Sequence, residues 1–434
     1  MNKEPNNNTT NKIGHSRKKV DTKENLSKNN QKLSKLISFK KQAKHTIQKR
    51  RLSSKEKGLR GIVIVCFIVF FLLFIFLLIN RRYDNSSLIW RYYYSTNNFG
   101  SKSNIKYDII NNNTIRWTND GITEISDDGK IKWTMSYNIK SPLYVKKGQY
   151  FAITGIGENK IYLFNENGIV AQSNTDFPIL KIDLSENGIV YALLDGGESS
   201  FIEVYSSYGE RLDITIKSIL KENGMPIDLA VSDDGTELMV SFLYLDNTNA
   251  NTRVVFYNFD EVGKNKNANR IVGGFDSEYK GKYVSKVKFF DNKKSICFYD
   301  GGITFFSTKI LTSPTIMKNY IYDDIIRSIA YNDKYVSLVL EDEKDKKLSF
   351  LVYDSDGNEL TNKRISFMYD NFMLSGNYVV FTHNAHVYIY DVNGNERLNR
   401  EFNDDLYYVG KKNKLFINEL ILGSSDYCDS VSVY

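Results

Sequence analysis

The 434-residue chain is 41% hydrophobic and 25% charged, and its net charge of +7 hides a division. Residues 1–60 hold 18 Lys/Arg against Glu4, Asp21, Glu24 and Glu56, a net of +14, which leaves 40 Lys/Arg against 47 Asp/Glu, or −7, for residues 61–434. Three cysteines (Cys66, Cys297 and Cys428) form no closely spaced even set, which argues against a disulfide-stapled scaffold.

Residues 1–60 read as a disordered basic tail. The stretches MNKEPNNNTTNK and KENLSKNNQK have too few apolar residues to bury a core. Within the tail, LSKLISFKKQAKHTIQKRRL predicts a basic amphipathic helix with Leu33, Leu36, Ile37 and Ile47 on its apolar side. Topology and solubility alone account for its charge. The same charge also suits docking on anionic lipid, at about 1 kcal/mol per basic residue near the surface, or a cytoplasmic partner. No nucleic acid partner is expected.

Residues 61–80, GIVIVCFIVFFLLFIFLLIN, contain no charged residue. The 19 residues from Gly61 to Ile79 make about 28 Å of helix, close to the hydrocarbon thickness of a bilayer. A secretory signal is shorter, lies nearer the N-terminus and ends in small residues. A buried globular helix of this length would carry a polar stripe. The run is therefore expected to be a single transmembrane helix. The positive-inside bias places residues 1–60 in the cytoplasm and 81–434 outside, since Arg81 and Arg82 are outweighed by the 18 basic residues before the run.

After the membrane, short strands alternate with Gly, Asn and Asp turns. Segments such as IYLFNENGIV, IEVYSSYGERL, FLVYDSDGNEL and VYIYDVNGNERL recur. Their equivalent positions are Ile125, Phe164, Tyr205, Tyr257, Phe306, Tyr353, Tyr390 and Tyr434, at spacings of 39, 41, 52, 49, 47, 37 and 44. A drifting period of about 40–50 residues built from strands marks a β-propeller. In residues 177–217 the four strands are explicit: ILKIDL, GIVYALL, FIEVYS and RLDITI, with an apolar second strand and an alternating fourth. The expected fold is all-β, a propeller of eight four-stranded blades, with seven as the alternative. The last repeat stops after VSVY, without a fourth strand. SLIWRYYYST (87–96) is expected to supply it and close the ring.

The segment ISDDGKIKW (125–133) resembles the Asp-x-x-Thr-Gly-Lys-x-x-Trp repeat of quinoprotein-alcohol-dehydrogenase-like propellers, and YDSDGNEL and YDVNGNERL are weaker versions. Only Trp90, Trp117 and Trp133 occur, so the tryptophan is not repeated around the ring, and no quinone-binding residues are recognisable. No cofactor is expected. The anchor, basic tail and degenerate repeats together resemble an uncharacterised family of single-pass membrane propeller proteins, a domain of unknown function, from low-GC Gram-positive bacteria. That resemblance implies no known activity.

Candidate chemistry is sparse. His383 and His386 in FTHNAHVY span a hairpin turn, and two imidazoles do not make a metal site. SDDG at 126–129 and 232–235 lacks the alternating ligands of a calcium loop. No phosphate loop and no G-x-S-x-G elbow is present. Acidic residues recur before the first strands of several blades: Asp176, Asp323, Asp324, Asp370, Asp404 and Asp405, beside Phe177, Tyr322, Tyr369 or Tyr407. Strand-start capping explains such residues locally. In a propeller they would also gather at one channel mouth, as a binding face comprising Asp176, Phe177, Tyr322, Asp324, Asp370, Asp405 and Tyr407. The expected function is an extracytoplasmic protein-binding or scaffold module without catalysis, its partner an envelope protein or glycan. The alternative is a cell-surface glycan hydrolase or lyase using paired carboxylates.

Overall fold

The computed structural model describes residues 31–42, 44, 54–79, 81–94, 105–246, 249–414 and 417–434. The chain divides into two compact units, Met1–Asn80 and Arg81–Tyr434. In the first, residues 31–42 are helical and expose Leu33, Leu36 and Ile37, while Ile47 lies outside the described residues. A second helix, Ser54–Ile79, carries the apolar run. Its side chains are described over 61–77, about 26 Å of helix. Among the described residues no helix is long and apolar enough to cross a membrane. The spanning expectation for 61–80 therefore rests on the uncharged run itself.

The second unit is an eight-bladed propeller. Each of eight separate sheets has four antiparallel strands. Blades 1 to 7 occupy residues 106–136, 142–174, 179–219, 225–275, 284–321, 325–365 and 371–401. Blade 8 takes its first three strands from Tyr408–Lys411, Glu419–Gly423 and Tyr427–Val433, and its fourth from Ser86–Tyr93. The eight equivalent positions expected from the repeat fall on or directly after the third strands. Sequence pattern and burial agree within a blade. In blade 3 the second strand, Val190–Asp195, is buried except at its last residue, whereas the fourth, Arg211–Ile219, alternates between exposed and half-buried as far as Lys217. Strands covered on both faces read as apolar runs, and outer strands alternate.

Ring closure is specific. Ser86–Tyr93 runs antiparallel to Tyr427–Val433, from Ser86 opposite Val433 to Tyr93 opposite Tyr427. Arg91 grips Asp429 through two bonds of 2.7 and 2.6 Å and lies 3.9 Å over the Tyr427 ring. Trp90 donates its indole N–H to the carbonyl of Asp127 in blade 1 at 2.9 Å. Beneath it, the fully buried Lys412 ammonium meets Glu419 at 2.5 Å and Asp127 at 2.7 Å. Lys414 reaches the same two carboxylates at 2.6 and 2.9 Å. Burial alone would push both carboxyls up, yet the bonds from Lys412 and Lys414 hold them below their ordinary values. The chain just before the closing strand is also fixed: the Tyr83 amide donates to Arg397 O at 2.7 Å, and its hydroxyl lies 2.6 Å from that of Tyr378.

The seams between blades repeat one device. At Gly129, in the turn joining the third and fourth strands of blade 1, φ is +84°, and an added Cβ would stand 2.8 Å from the Trp90 ring of the preceding blade. At Gly394 of blade 7, φ is +79° and the neighbour, at 2.8 Å, is Thr361. Only glycine tolerates both this backbone conformation and this approach. The glycine recurs where the tryptophan does not, because Thr361, Ala171 and Lys318 fill the place that Trp90 and Trp133 fill at the first two seams.

Blade 4 buries two carboxyls unusually. Asp228 lies 3.8 Å from Lys286 and 3.9 Å from Lys181, and burial keeps its carboxyl above the ordinary range. Glu237 is 2% exposed, and no cation lies within ion-pair distance among the described residues. Burial pushes its carboxyl from 4.5 up to about 7, against the pull of Thr308 and Asn258.

Three outcomes are expected from this architecture. A soluble form starting at Ser101 should aggregate and melt well below one starting at Arg81, because the outer edge of Tyr427–Val433 is left open. Equal stability of the two forms, measured by light scattering and thermal melting, would refute the closure. Within the intact ring, Trp90→Ala should cost about 2–4 kcal/mol. The raised Glu237 carboxyl makes the folded state the stronger proton binder between its two values. Its contribution is complete below pH 4.5 and is lost as pH rises through about 7, a change of about 3 kcal/mol. Urea melts across pH 4 to 8 should show this decline, and Glu237→Gln should flatten it.

Candidate functional site

The first strand of every blade lies innermost, and first strands of neighbouring blades touch, as in blades 2 and 3, 4 and 5, and 8 and 1. All eight run in the same sense, so the residues at their starts gather at one channel mouth and those at their ends at the other. Two cavities adjoin on the side of blades 6, 7, 8, 1 and 2, with Met373 and Tyr408 lining both.

The near mouth, at the strand starts, is a cavity of about 570 Å³. Blade 7 contributes Tyr369, Asp370 and Asn371, blade 8 contributes Tyr407 and Tyr408, blade 6 Ser328 and blade 1 Lys106. Asp370 accepts from the Asn384 amide at 2.9 Å and stands 3.1 Å from the His383 imidazole. These contacts, the backbone bond foremost, keep its carboxylate below the usual range, so it stays charged although exposed. Tyr369 shares a 2.7 Å hydroxyl contact with Ser328. Tyr408 stacks on Tyr107 at 5.9 Å, while Tyr407 is half exposed. The result is one fixed carboxylate among aromatic rings, with the Lys106 ammonium on the blade 1 side.

The expected binding residues divide on inspection. Asp370 and Tyr407 line this cavity together. Asp405 is exposed beside Tyr407, and Asp324 is half-buried at the start of blade 6; neither lines the cavity. Asp176 is tied to Arg211 at 2.7 Å at the join of blades 2 and 3. Phe177 stacks on Phe201 at 4.8 Å within the core shared by those blades. Tyr322 packs between blades 5 and 6 and donates to the Tyr353 hydroxyl at 2.9 Å, with burial holding its own phenol protonated. Asp404 accepts from Tyr427 at 2.6 Å. Thus the aromatics Phe177 and Tyr322 pack between blades, and Tyr369 and Tyr407 of blades 7 and 8 line the cavity.

The two histidines stand opposite each other across their hairpin, but each has its own partner. His383 stands against Asp370, and His386 meets Asn399 at 2.8 Å while stacking on Tyr388. Among the described residues, no three His, Cys, Asp or Glu side chains are grouped so as to hold a metal. Cys297 and Cys428 are buried free thiols, pushed up to about 12 by burial.

Two features have weak sequence signals. The far channel mouth, of about 510 Å³, is lined by Asp108, Asn111, Asn112, Lys146, Lys411 and Asn413 among others. Its only traces in the sequence are the runs NNN and GKKNK. A groove of about 780 Å³ lies outside the channel, between the outer strands of blades 3 and 4. The short fourth strand of blade 4, Ile271–Phe275, opens it, and Arg253 stands within it.

No curated protein matches this chain. Among solved structures it is similar to Sqt1 of Chaetomium thermophilum, crystallised bound to the N-terminus of ribosomal protein L10. That likeness has 12% identity and a TM-score of 0.50, and covers 77% of this chain and 98% of the other. Apo AztD of Citrobacter koseri is similar at 11% identity and a TM-score of 0.47, over 70% of this chain and 86% of that one. The Pan2 WD40 domain of Neurospora crassa is similar at 9% identity and a TM-score of 0.42, over 81% and 96%. At such identities the likeness concerns the propeller fold alone. The family of unknown function DUF5711 matches residues 79–432, nearly the whole propeller unit, and the chain belongs to that family.

Proposed function

We propose that this protein is a membrane-anchored binding module whose propeller works outside the cytoplasm and presents its near channel mouth to an envelope partner. The anchor is supported by the uncharged run 61–79 inside the helix Ser54–Ile79, and the orientation by the net +14 of residues 1–60. The tail then lies where anionic lipid is, and its basic residues would hold it to that surface.

The near mouth carries the functional reading. Asp370 supplies a fixed charge that a basic side chain or a hydroxyl-rich surface would meet, and Tyr407 supplies contact area at small entropic cost. Binding is favoured over turnover by the position of the raised carboxyls. Glu237, the carboxyl suited to proton transfer near neutral pH, and Asp228, raised by burial, both lie in blade 4 and line neither mouth, whereas Asp370 is held ionised.

Two measurements test this reading. Protease added to wall-stripped cells should remove residues 81–434 and spare the tail; digestion of the tail instead reverses the topology. In crosslinking pull-downs from intact membranes, replacing Asp324, Asp370 and Asp405 together by Asn should lower partner recovery severalfold and flatten its salt dependence, with an unchanged melting temperature. Turnover of a glycan or peptide by the purified protein, abolished by the same substitutions, would replace the binding reading with an enzymatic one.

A further inference from the structure

The far mouth, unlike the near one, is lined by one more cation than carboxylate. Most of the cations along the inner strands already meet a carboxylate. Lys146 reaches Asp108 at 2.5 Å, Lys286 lies 3.8 Å from Asp228, and Lys288 lies 3.4 Å from Asp333. Lys411 does not. Its ammonium donates to Asn377 Oδ1 at 3.0 Å and rests 4.1 Å over the Tyr378 ring, with no carboxylate in ion-pair distance among the described residues. Two of its three donors are left over. The nearest guanidinium, Arg397, is held by Asp391. Burial, and then Arg397, lower the proton affinity of the Lys411 amine. Both effects would be relieved by an anion.

The surroundings hold this lysine in place. The Lys411 amide donates to Ser375 Oγ at 2.7 Å, so blade 7 fixes the backbone from which the side chain extends. On the other wall, Asn111 and Asn112 form the hairpin tip of blade 1 with φ of +49° and +68°. Asn112 Oδ1 accepts from the Asn413 amide at 2.7 Å and fastens that tip to blade 8. Asn111 and Asn413 line the cavity, and neither side-chain amide has a hydrogen-bond partner among the described residues.

We propose that the far channel mouth binds a hydroxylated ring bearing a single anionic group, the chemistry of a sugar acid or sugar phosphate. Lys146 and Lys411 against Asp108 leave one positive charge among the residues that line the cavity, which suits one anionic group. Amides both donate and accept, which suits a polyol better than a bare ion. The volume of about 510 Å³ lies in the range that small ligands occupy and far exceeds that of a lone phosphate. An ammonium is a point charge and does not distinguish carboxylate from phosphate by geometry, so the two sources share one recognition chemistry. The inference is independent of the near mouth.

The test is calorimetric titration of the full chain, in a zwitterionic detergent without sugar headgroups, with glucuronate, glucose 6-phosphate, glucose and inorganic phosphate. Glucuronate, glucose 6-phosphate or both should bind at least tenfold more tightly than glucose and inorganic phosphate; which of the two binds identifies the source. Lys411→Gln and Lys411→Met should each weaken that binding at least tenfold, with Lys309→Gln, exposed after the third strand of blade 5, as an unchanged control. Failure of both sugar anions to bind the wild-type chain would overturn the proposal. Equal affinity for glucose, equal affinity for inorganic phosphate, or undiminished binding by folded Lys411 variants would overturn it as well. The near-mouth reading would survive any of these, since its test uses Asp324, Asp370 and Asp405.

Discussion

The propeller depends on the pairing of Ser86–Tyr93 with Tyr427–Val433. Residues more than 330 positions apart share one sheet, and through it the two ends of the repeat array become neighbours. An open array of eight blades would expose a strand edge at one end and an unpacked blade face at the other. Closure removes both, and the seam is made distinctive by charge. Lys412 is fully buried between Glu419 and Asp127, an arrangement that is costly in the wrong register because it would strand an ammonium in the interior. The Arg91–Asp429 pair serves the same end on the partly exposed side.

The seam also explains how a degenerate repeat yields a regular ring. What recurs from blade to blade is less the identity of the packing side chain than the glycine it packs on. Gly129 under Trp90 and Gly394 beside Thr361 have nearly the same φ, so the turn keeps its shape while the neighbour varies from indole to hydroxyl. Side-chain volume lost at one seam is recovered by local aromatic packing, as where Phe305 and Lys318 meet Gly357. The period drifts because insertions fall in hairpins and outer connections, such as Glu261–Lys266 in blade 4, outside the first strands that line the channel.

The channel inherits a polarity from this order. Parallel inner strands carry the residues before them to one mouth and the residues after them to the other. The aromatics and Asp370 precede strands, whereas Lys411 and Asn413 end or follow them. The near mouth thus offers a fixed carboxylate among rings, and the far mouth an uncompensated ammonium among amides. Met373 and Tyr408 line both cavities and so join the two environments.

Local pattern was enough to read the blades. Apolar second strands, alternating fourth strands, glycine turns and an aromatic near the end of each third strand are properties of short segments, and burial in the structure follows them closely. The need for a closing strand was also legible, because the last repeat is one strand short and SLIWRYYYST has the outer-strand pattern. The site was legible only in part. Asp176, Phe177, Tyr322 and Asp370 look alike in sequence, each an acid or aromatic before a first strand. Tertiary packing sends Phe177 and Tyr322 into cores between blades, gives Asp176 to Arg211, and leaves Asp370 facing the channel with Tyr407. Lys411 had no local signature, since its character comes from the carboxylate it lacks and from blade 7, whose side chains surround it. Strand identity is decided by neighbours two to four residues away, which the sequence shows directly. A site charge is decided by what the ring brings beside it from 34 to 301 residues away, and only the closed fold settles that.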